Sequence, residues 1–577
     1  MLVSDSPEGS RWGTLRTDFE VLAVVRTLTS ATRLLDVLPL LRPEHGIQVS
    51  FTINPGSAFA DGLPEYLGSL GVRVLSWAEA TSRRFDLAVA AAVHADMRHV
   101  DAPLVVMPHG AGYNRLVPAS TGDGESPAGL SRRELTHDGR VFPAAIGLSH
   151  EEQWDLLART CPEALPVSVV IGDPCFSRIV LSLSRRRRYR QPFGALHGRR
   201  LVVVSSTWSE HSLLGRHPDL PLRLIGELPA DEFVVAVVLH PNVWNYHGPF
   251  NVRDRLLADA LDAGLLIVPP ERGWQAALIA ADWVVGDHGS VSFYGAGLDR
   301  VTLLAATGEG EVDPASPTAA FAREAPRLDP DGDLYAQLLR TAEEHKPGAL
   351  LPITARSLGA VDESPRLLRD LLYAQLGLPA SAEEPVVRPV ADPRPEFGPG
   401  PTRWDVTGSV VMDEATASAR AAVATVTVRR FPVLPGHEEA RGFYAVTADE
   451  VDLRHRAGAE VVVRTDPFAE PAAPAWAAET AGELPGLSVA VAALDEGRHL
   501  VRLRGGILLE ASAVRTWGTN RPELDPVVLG CALHLWAMAG GRPATLGDGI
   551  RIRTGEREVA VAFTTDSRGP GPGPRRG

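Results

Sequence analysis

Along residues 19–110 the apolar positions fall into short continuous runs separated by stretches of helical period. Runs at 21–25, 47–53, 72–75, 87–93 and 104–107 predict strands, and 28–41 and 63–70 have the spacing of amphipathic helices. Strands without polar alternation are buried on both faces, so this alternation predicts a parallel sheet covered by helices on each side. The sheet ends at Pro108-His109-Gly110-Ala111-Gly112, and a polar Gly/Ser/Pro-rich stretch at 115–143 predicts a mobile loop near a cleft. A second series of runs predicts a second sheet. Residues 167–171 lead to Gly172-Asp173-Pro174; 201–204 to Ser205-Ser206-Thr207-Trp208; 233–239 to His240-Pro241-Asn242; 265–268 to Pro269; and 283–285 to Gly286-Asp287-His288-Gly289-Ser290. Helices follow at 334–345 and 364–376.

After a stretch at 380–402 with six prolines, the period changes to short alternating strands at 423–428, 460–463, 487–491, 500–504, 507–509, 550–553 and 558–563, with one apolar helix at 527–539. The expected organisation is therefore a Rossmann-like domain over 1–160 and a second over 161–379. A linker over 380–402, a mostly antiparallel α+β module over 403–566 and a disordered tail over 567–577 complete the chain.

Polar residues at the carboxyl ends of parallel strands are where such sheets bind ligands. The stretch 281–298 reads as strand, loop and helix, so the free amides at the helix start can meet an anion, with Gly286 and Gly289 allowing close approach and Ser290 and Ser292 donating. The alternative is an ordinary connection with a serine cap. His109, at the end of its strand, suits a general base; the alternative is a turn histidine bonded to backbone.

Composition removes several classes. The net charge of −14 argues against a nucleic-acid protein. The longest apolar run, 527–540, contains His534 and is shorter than the ~18 residues that cross a bilayer. The start of the chain lacks the pattern of a signal peptide, and Cys161, Cys175 and Cys531 are scattered without metal-like spacing, which fits a reducing cytoplasm. Lys346 is the sole lysine, so no Gly-Lys-Ser/Thr phosphate loop exists, and the remaining basic residues are arginines, as a GC-rich coding sequence produces. Arg185 to Arg188 with Arg190 form a basic run that can meet phosphates, an anionic polymer or the inner face of a membrane, or else be a solvated helix end. Asp329-Pro330-Asp331-Gly332-Asp333 reads as a turn with Asp333 as a helix cap, and no metal or other cofactor is expected.

Taken together, the loops resemble those of the CDP-glycerol glycerophosphotransferases of teichoic-acid synthesis, over roughly residues 20–375. The matching positions are His109-Gly110, Gly172-Asp173-Pro174, Ser206-Thr207-Trp208, His240-Pro241 and Asp287-His288-Gly289-Ser290. The resemblance implies a GT-B fold, with His109 as the base, His240 on the donor's phosphates, and Thr207 and Ser290 on the same diphosphate. Gly110, Ser205, Ser206, Asp287, His288, Gly289 and Ser292 complete the expected donor site. This chain departs from the family's pattern at Ala111-Gly112-Tyr113-Asn114, at Gly289 and at Tyr294, positions that bear on donor and acceptor recognition.

The expected function is a GT-B transferase that moves a glycosyl or polyol-phosphate group from a nucleotide-diphosphate donor, a CDP-polyol or nucleotide sugar, to an acceptor hydroxyl, on a polymer if the acceptor is a cell-surface chain. Two alternatives stand beside it. One is a non-catalytic nucleotide-binding or scaffolding protein, and the other a nucleotide-sugar epimerase, which would need paired carboxylates such as Asp173, Glu210 and Asp287.

Overall fold

The computed structural model describes residues 17–379, 381–412, 424–436, 441–514 and 523–565. The tail expected to be disordered, 567–577, lies outside them, as does residue 423.

Nine short strands precede residue 171: β1 (Phe19–Val25), β2 (Ile47–Ile53), β3 (Val74–Leu75), β4 (Leu87–Ala90), β5 (Leu104–Val106), the hairpin β6 (Thr136–His137) and β7 (Arg140–Val141), β8 (Ala145–Leu148) and β9 (Ser168–Val170). Seven of them form one parallel sheet in the order β3-β2-β1-β4-β5-β8-β9. In β1 the pleat sends Val21, Ala23 and Val25 into one core and Leu22 and Val24 into the other, which is why the strand reads as an unbroken apolar run. The second sheet holds β10 (Arg200–Ser206), β11 (Phe233–Leu239), β12 (Leu266–Val268), β13 (Trp283–Gly286), β14 (Val301–Leu304) and β15 (Glu396–Phe397). Its order is β14-β13-β10-β11-β12-β15, parallel except for β15. The two sheets turn their carboxyl ends toward a shared cleft, a GT-B-like architecture.

Three sequence expectations change. Residues 167–171 do not open the second sheet: β9 pairs with β8 and closes the first. The segment 115–143 is packed rather than loose, with Leu130 and Leu135 fully buried and Glu134 accepting from Ser120 Oγ, the Gly129 amide and Ser131 Oγ. The proline-rich stretch is strapped to the second domain, where Val390 is buried and accepts from Tyr189 OH at 2.6 Å.

The basic run is largely used internally. Arg186 and Arg190 both reach Asp282, and Arg188 pairs with Asp392. Asp333 caps its helix, accepting from Ala336 N. The Ser364–Gln375 helix crosses back, placing Leu368, Leu372 and Tyr373 in the core under β1. No helix among the described residues is long and apolar enough to cross a membrane.

Beyond residue 402 the strands β16 (Arg403–Met412), β17 (Ala424–Pro432), β18 (Phe443–Thr447), β19 (Val461–Arg464), β20 (Val489–Ala493), β21 (Arg498–Leu503), β22 (Leu508–Ala513), β23 (Ile550–Thr554) and β24 (Arg557–Thr565) close into a barrel. The expected apolar helix, Pro526–Met538, shares a single core with residues from all nine strands. Its apolar surface runs almost all the way round because strands enclose it. Gly530 lets it approach: a Cβ there would stand 2.7 Å from a Val461 methyl carbon.

The barrel is joined to the second domain just before β11. Arg430 pairs with Asp231 at 2.7 Å and Asp525 at 2.8 Å, and Arg429 with Glu232 at 2.9 Å. β11 then runs seven residues to His240, so the joint lies roughly 20 Å from the cleft, at the other end of the strand. Arg430→Met would leave buried Asp231 without its partner. The expected loss is about 3–5 kcal/mol of stability by chemical denaturation, with the barrel unfolding first.

Candidate functional site

A cavity of about 470 Å³ lies between the two sheets. His109, Gly110, Ser205, Ser206, Thr207, His240, His288, Gly289 and Ser290 line it, as expected from the sequence, and Asp287 and Ser292 do not.

Those two are buried supports. Asp287 accepts hydrogen bonds from the amides of Thr207 (2.8 Å), Leu213 (2.9 Å) and Gly289 (2.9 Å), and so ties two strand-end loops of the second sheet together. Ser292 packs beneath Gly286, where an added Cβ would be 2.0 Å from its oxygen. Ser206 also serves its own loop, donating to Thr207 O and accepting from Leu214 N. His288 is buried with Nε2 2.9 Å from Glu311 Oε2.

The two remaining histidines have opposite polarity. His109 Nδ1 is 3.1 Å from Ala91 O, and a carbonyl can only accept, so Nδ1 carries the hydrogen and Nε2 keeps its lone pair. His240 Nδ1 is 3.1 Å from Asn242 N, which can only donate, so the neutral ring carries its hydrogen on Nε2. Both rings are held neutral. Desolvation, reinforced by Arg33 and Arg115, lowers His109 against the opposing pull of its hydrogen bond to Ala91, and desolvation followed by the charge of Arg115 lowers His240 to about 3.

The Ser290–Gly297 helix begins at Gly289, which offers no side-chain cap to its first-turn amides. Ser290 Oγ accepts from Ala111 N at 3.2 Å, and Gly110 has no room for a side chain, since a Cβ would lie 2.6 Å from that oxygen. The strand-end loops of the two domains therefore touch.

The arginines are what sequence reasoning missed. Arg33 donates to Asp173 Oδ1 (3.0 Å), Tyr294 OH (2.8 Å) and the carbonyls of His109 (3.2 Å) and Gly110 (3.4 Å), while Tyr294 OH donates to Asp173 Oδ2 at 2.6 Å. Arg115 reaches from the first domain to Thr207 Oγ1 and Trp208 O, stacks 4.0 Å from the Trp208 ring centre, and pairs with Glu311. Burial pulls Glu311 upward, but hydrogen bonds from His288 and Ser209 and the charge of Arg115 outweigh it and hold the acid at about 2. Arg26, directly after β1, lines the same cavity. The strand-end rule applied to the second sheet would have found Arg26 in the first.

The chain is similar to the wall teichoic acid polymerase TagF. That solved structure shares 11% identity and a TM-score of 0.41 over 63% of this chain and 90% of its own. A UDP-GlcNAc 2-epimerase from Neisseria meningitidis, bound to UDP-GlcNAc, shares 13% and 0.42 over 62% of this chain and 100% of its own. No family model and no curated protein matches the chain. Likeness at this level carries no residue's role from one chain to another.

The neutral His240 has a consequence for stability. Its folded pKa lies below the unfolded value near 6.5, so as pH falls through that value the unfolded chain takes up a proton that the folded chain refuses. Wild-type stability should therefore fall, relative to His240→Gln, as pH drops from about 6.5 toward 3. Denaturant titrations of both proteins across that window check the difference; parallel curves would mean that His240 is not held neutral.

Proposed function

We propose that the protein is a GT-B-type transferase that moves a glycosyl or polyol-phosphate group from a nucleotide-diphosphate donor to an acceptor hydroxyl. The observation that carries this reading is the pair of oppositely polarised histidines in one cavity. A transfer to a hydroxyl needs a proton acceptor beside the attacking oxygen and a proton donor or positive dipole beside the leaving phosphate.

His109 Nε2 meets the first need. As the acceptor oxygen bonds to the donor's reacting carbon or phosphorus, its proton passes to Nε2, and the bond to the leaving phosphate oxygen breaks with its electron pair staying on the nucleotide. Three groups on the second-domain side suit that developing charge: His240 Nε2–H, the Thr207 hydroxyl and the first-turn amides of the Ser290–Gly297 helix. Thr207 is already polarised by Arg115.

The epimerase reading is disfavoured by the carboxylates. Asp173 is paired with Arg33, Asp287 is taken by three amides and Glu210 is exposed to solvent. The two acids that line the cavity are also engaged, Asp36 with Arg178 and Gln275, and Glu134 within its own loop. Membrane contact through the 185–190 run is likewise disfavoured, because among the described residues only Arg185 and Arg187 lack an ion-pair partner there.

A thermal-shift panel of CDP-polyols, nucleotide sugars and nucleoside diphosphates should identify a donor, since a ligand that binds the folded state raises its melting temperature. With that donor, His109→Ala should keep donor affinity and lose about 10²–10⁴ in turnover. His240→Ala should weaken donor binding about five- to hundredfold by calorimetry. Equal loss of affinity in both variants, or silence across the whole panel, would be evidence for a scaffolding role.

A further inference from the structure

Among the described residues, the first-domain wall of the cleft holds a cation with no carboxylate in contact with it. Arg26 is partly buried, and its guanidinium is fixed by neutral acceptors: Nη1 donates to Asn54 Oδ1 at 2.6 Å and Pro55 O at 3.0 Å, and Nη2 to Gly56 O at 3.3 Å. The acids whose field reaches it are Asp96 and Glu134. Neither is free to pair with it. Asp96 lies 3.5 Å from His94 and 3.8 Å from Arg98, and both oxygens of Glu134 accept from Ser120, Gly129 N and Ser131. The other two arginines of the cavity differ, for Arg33 has Asp173 and Arg115 has Glu311.

Fixing a partly desolvated guanidinium without an anion lowers stability, and such a group persists where a ligand supplies the missing charge. Its surroundings point the same way. Thr29, on the same wall, has a buried hydroxyl oxygen without a hydrogen-bond partner. The capping box of the Leu28–Val37 helix engages the Ser30 amide and leaves those of Leu28 and Thr29 at the positive end of the helix dipole.

We propose that Arg26, with Thr27, Thr29 and Ser57, forms an oxyanion subsite for the acceptor, so that the transferred group goes to a hydroxyl on a molecule that also carries a phosphate or carboxylate. This rests on the reading that the donor lies against the second domain. The acceptor's anion is then held on Arg26, on the same wall as His109, and its hydroxyl is aligned by a contact remote from the reacting atoms.

Calorimetric titration of the full chain with glycerol 3-phosphate, glycerate and glycerol tests it, each with and without the nucleotide found by the thermal-shift panel. One or both anions should bind and neutral glycerol should not, and whichever anion binds more tightly identifies phosphate or carboxylate as the source. Arg26→Gln should weaken that anion about ten- to hundredfold and leave nucleotide affinity within about twofold, while Arg26→Lys, which keeps the charge and loses the fork, should fall between. Thermal unfolding of both variants confirms that they fold. The proposal is overturned by glycerol binding as tightly as the anions, or by wild type binding neither anion. Loss of nucleotide affinity in Arg26→Gln would also overturn it, by making Arg26 part of the diphosphate site. If no nucleotide binds but anion binding still depends on Arg26, the donor reading fails and the subsite stands.

Discussion

The arrangement of the cleft depends on one buried guanidinium. Arg33 rises from the first domain's opening helix, Asp173 lies where the chain leaves the first sheet, and Tyr294 belongs to the second domain. The ion pair is 4% and 2% exposed, so in isolation its desolvation would rival its attraction. What makes it tenable is saturation. Asp173 also caps the Pro174–Leu181 helix through the amides of Cys175 and Phe176, and Arg33 holds the successive carbonyls of His109 and Gly110. The same contacts that neutralise the charge therefore aim the His109 ring and fix the helix that starts at Ser290. The distance between His109 and the second-domain wall of the cavity is set by this cluster rather than by the loops themselves.

Around it the domains are held by weaker ties that each cross the cleft. Ser290 meets Ala111, Arg115 meets Thr207 and Trp208, Asn245 donates to Phe59 O, and the backbone at Leu116 donates to Glu311 O. Most of these are single hydrogen bonds to neutral partners, each worth about 1 kcal/mol net. They can be exchanged for ligand contacts at little cost, whereas the Arg33 cluster cannot.

Both parallel sheets were legible in the sequence because strands buried on two faces read as unbroken apolar runs. Their membership was not legible at the edge. β9 is three residues long, and nothing in its local pattern says which sheet it joins; pairing with β8 decides that. At the site, His109 and His240 stood out because each lies where an apolar strand ends. Asp287 and Ser292 looked like ligand-binding residues for the same reason, but a polar side chain after a strand can equally satisfy the backbone of its own turn. The arginines were hidden by abundance. In a chain with one lysine, Arg26, Arg33 and Arg115 look like any other basic positions, and only burial and partners separate the paired from the unpaired.

The C-terminal strands and the apolar helix were also legible, but their closure was not, since it needs β17 to run beside β23 more than a hundred residues later. That closure limits how the module can associate. An open sheet carries a row of unpaired backbone groups to which another polypeptide can add a strand, and the ring of pairings here removes that row among the described residues. The lumen is filled by Leu529, Leu533 and Trp536, so it is not a chamber for a guest molecule either. Recognition by this module must therefore be written in outward-facing side chains and connecting loops, which can change without disturbing the barrel that displays them.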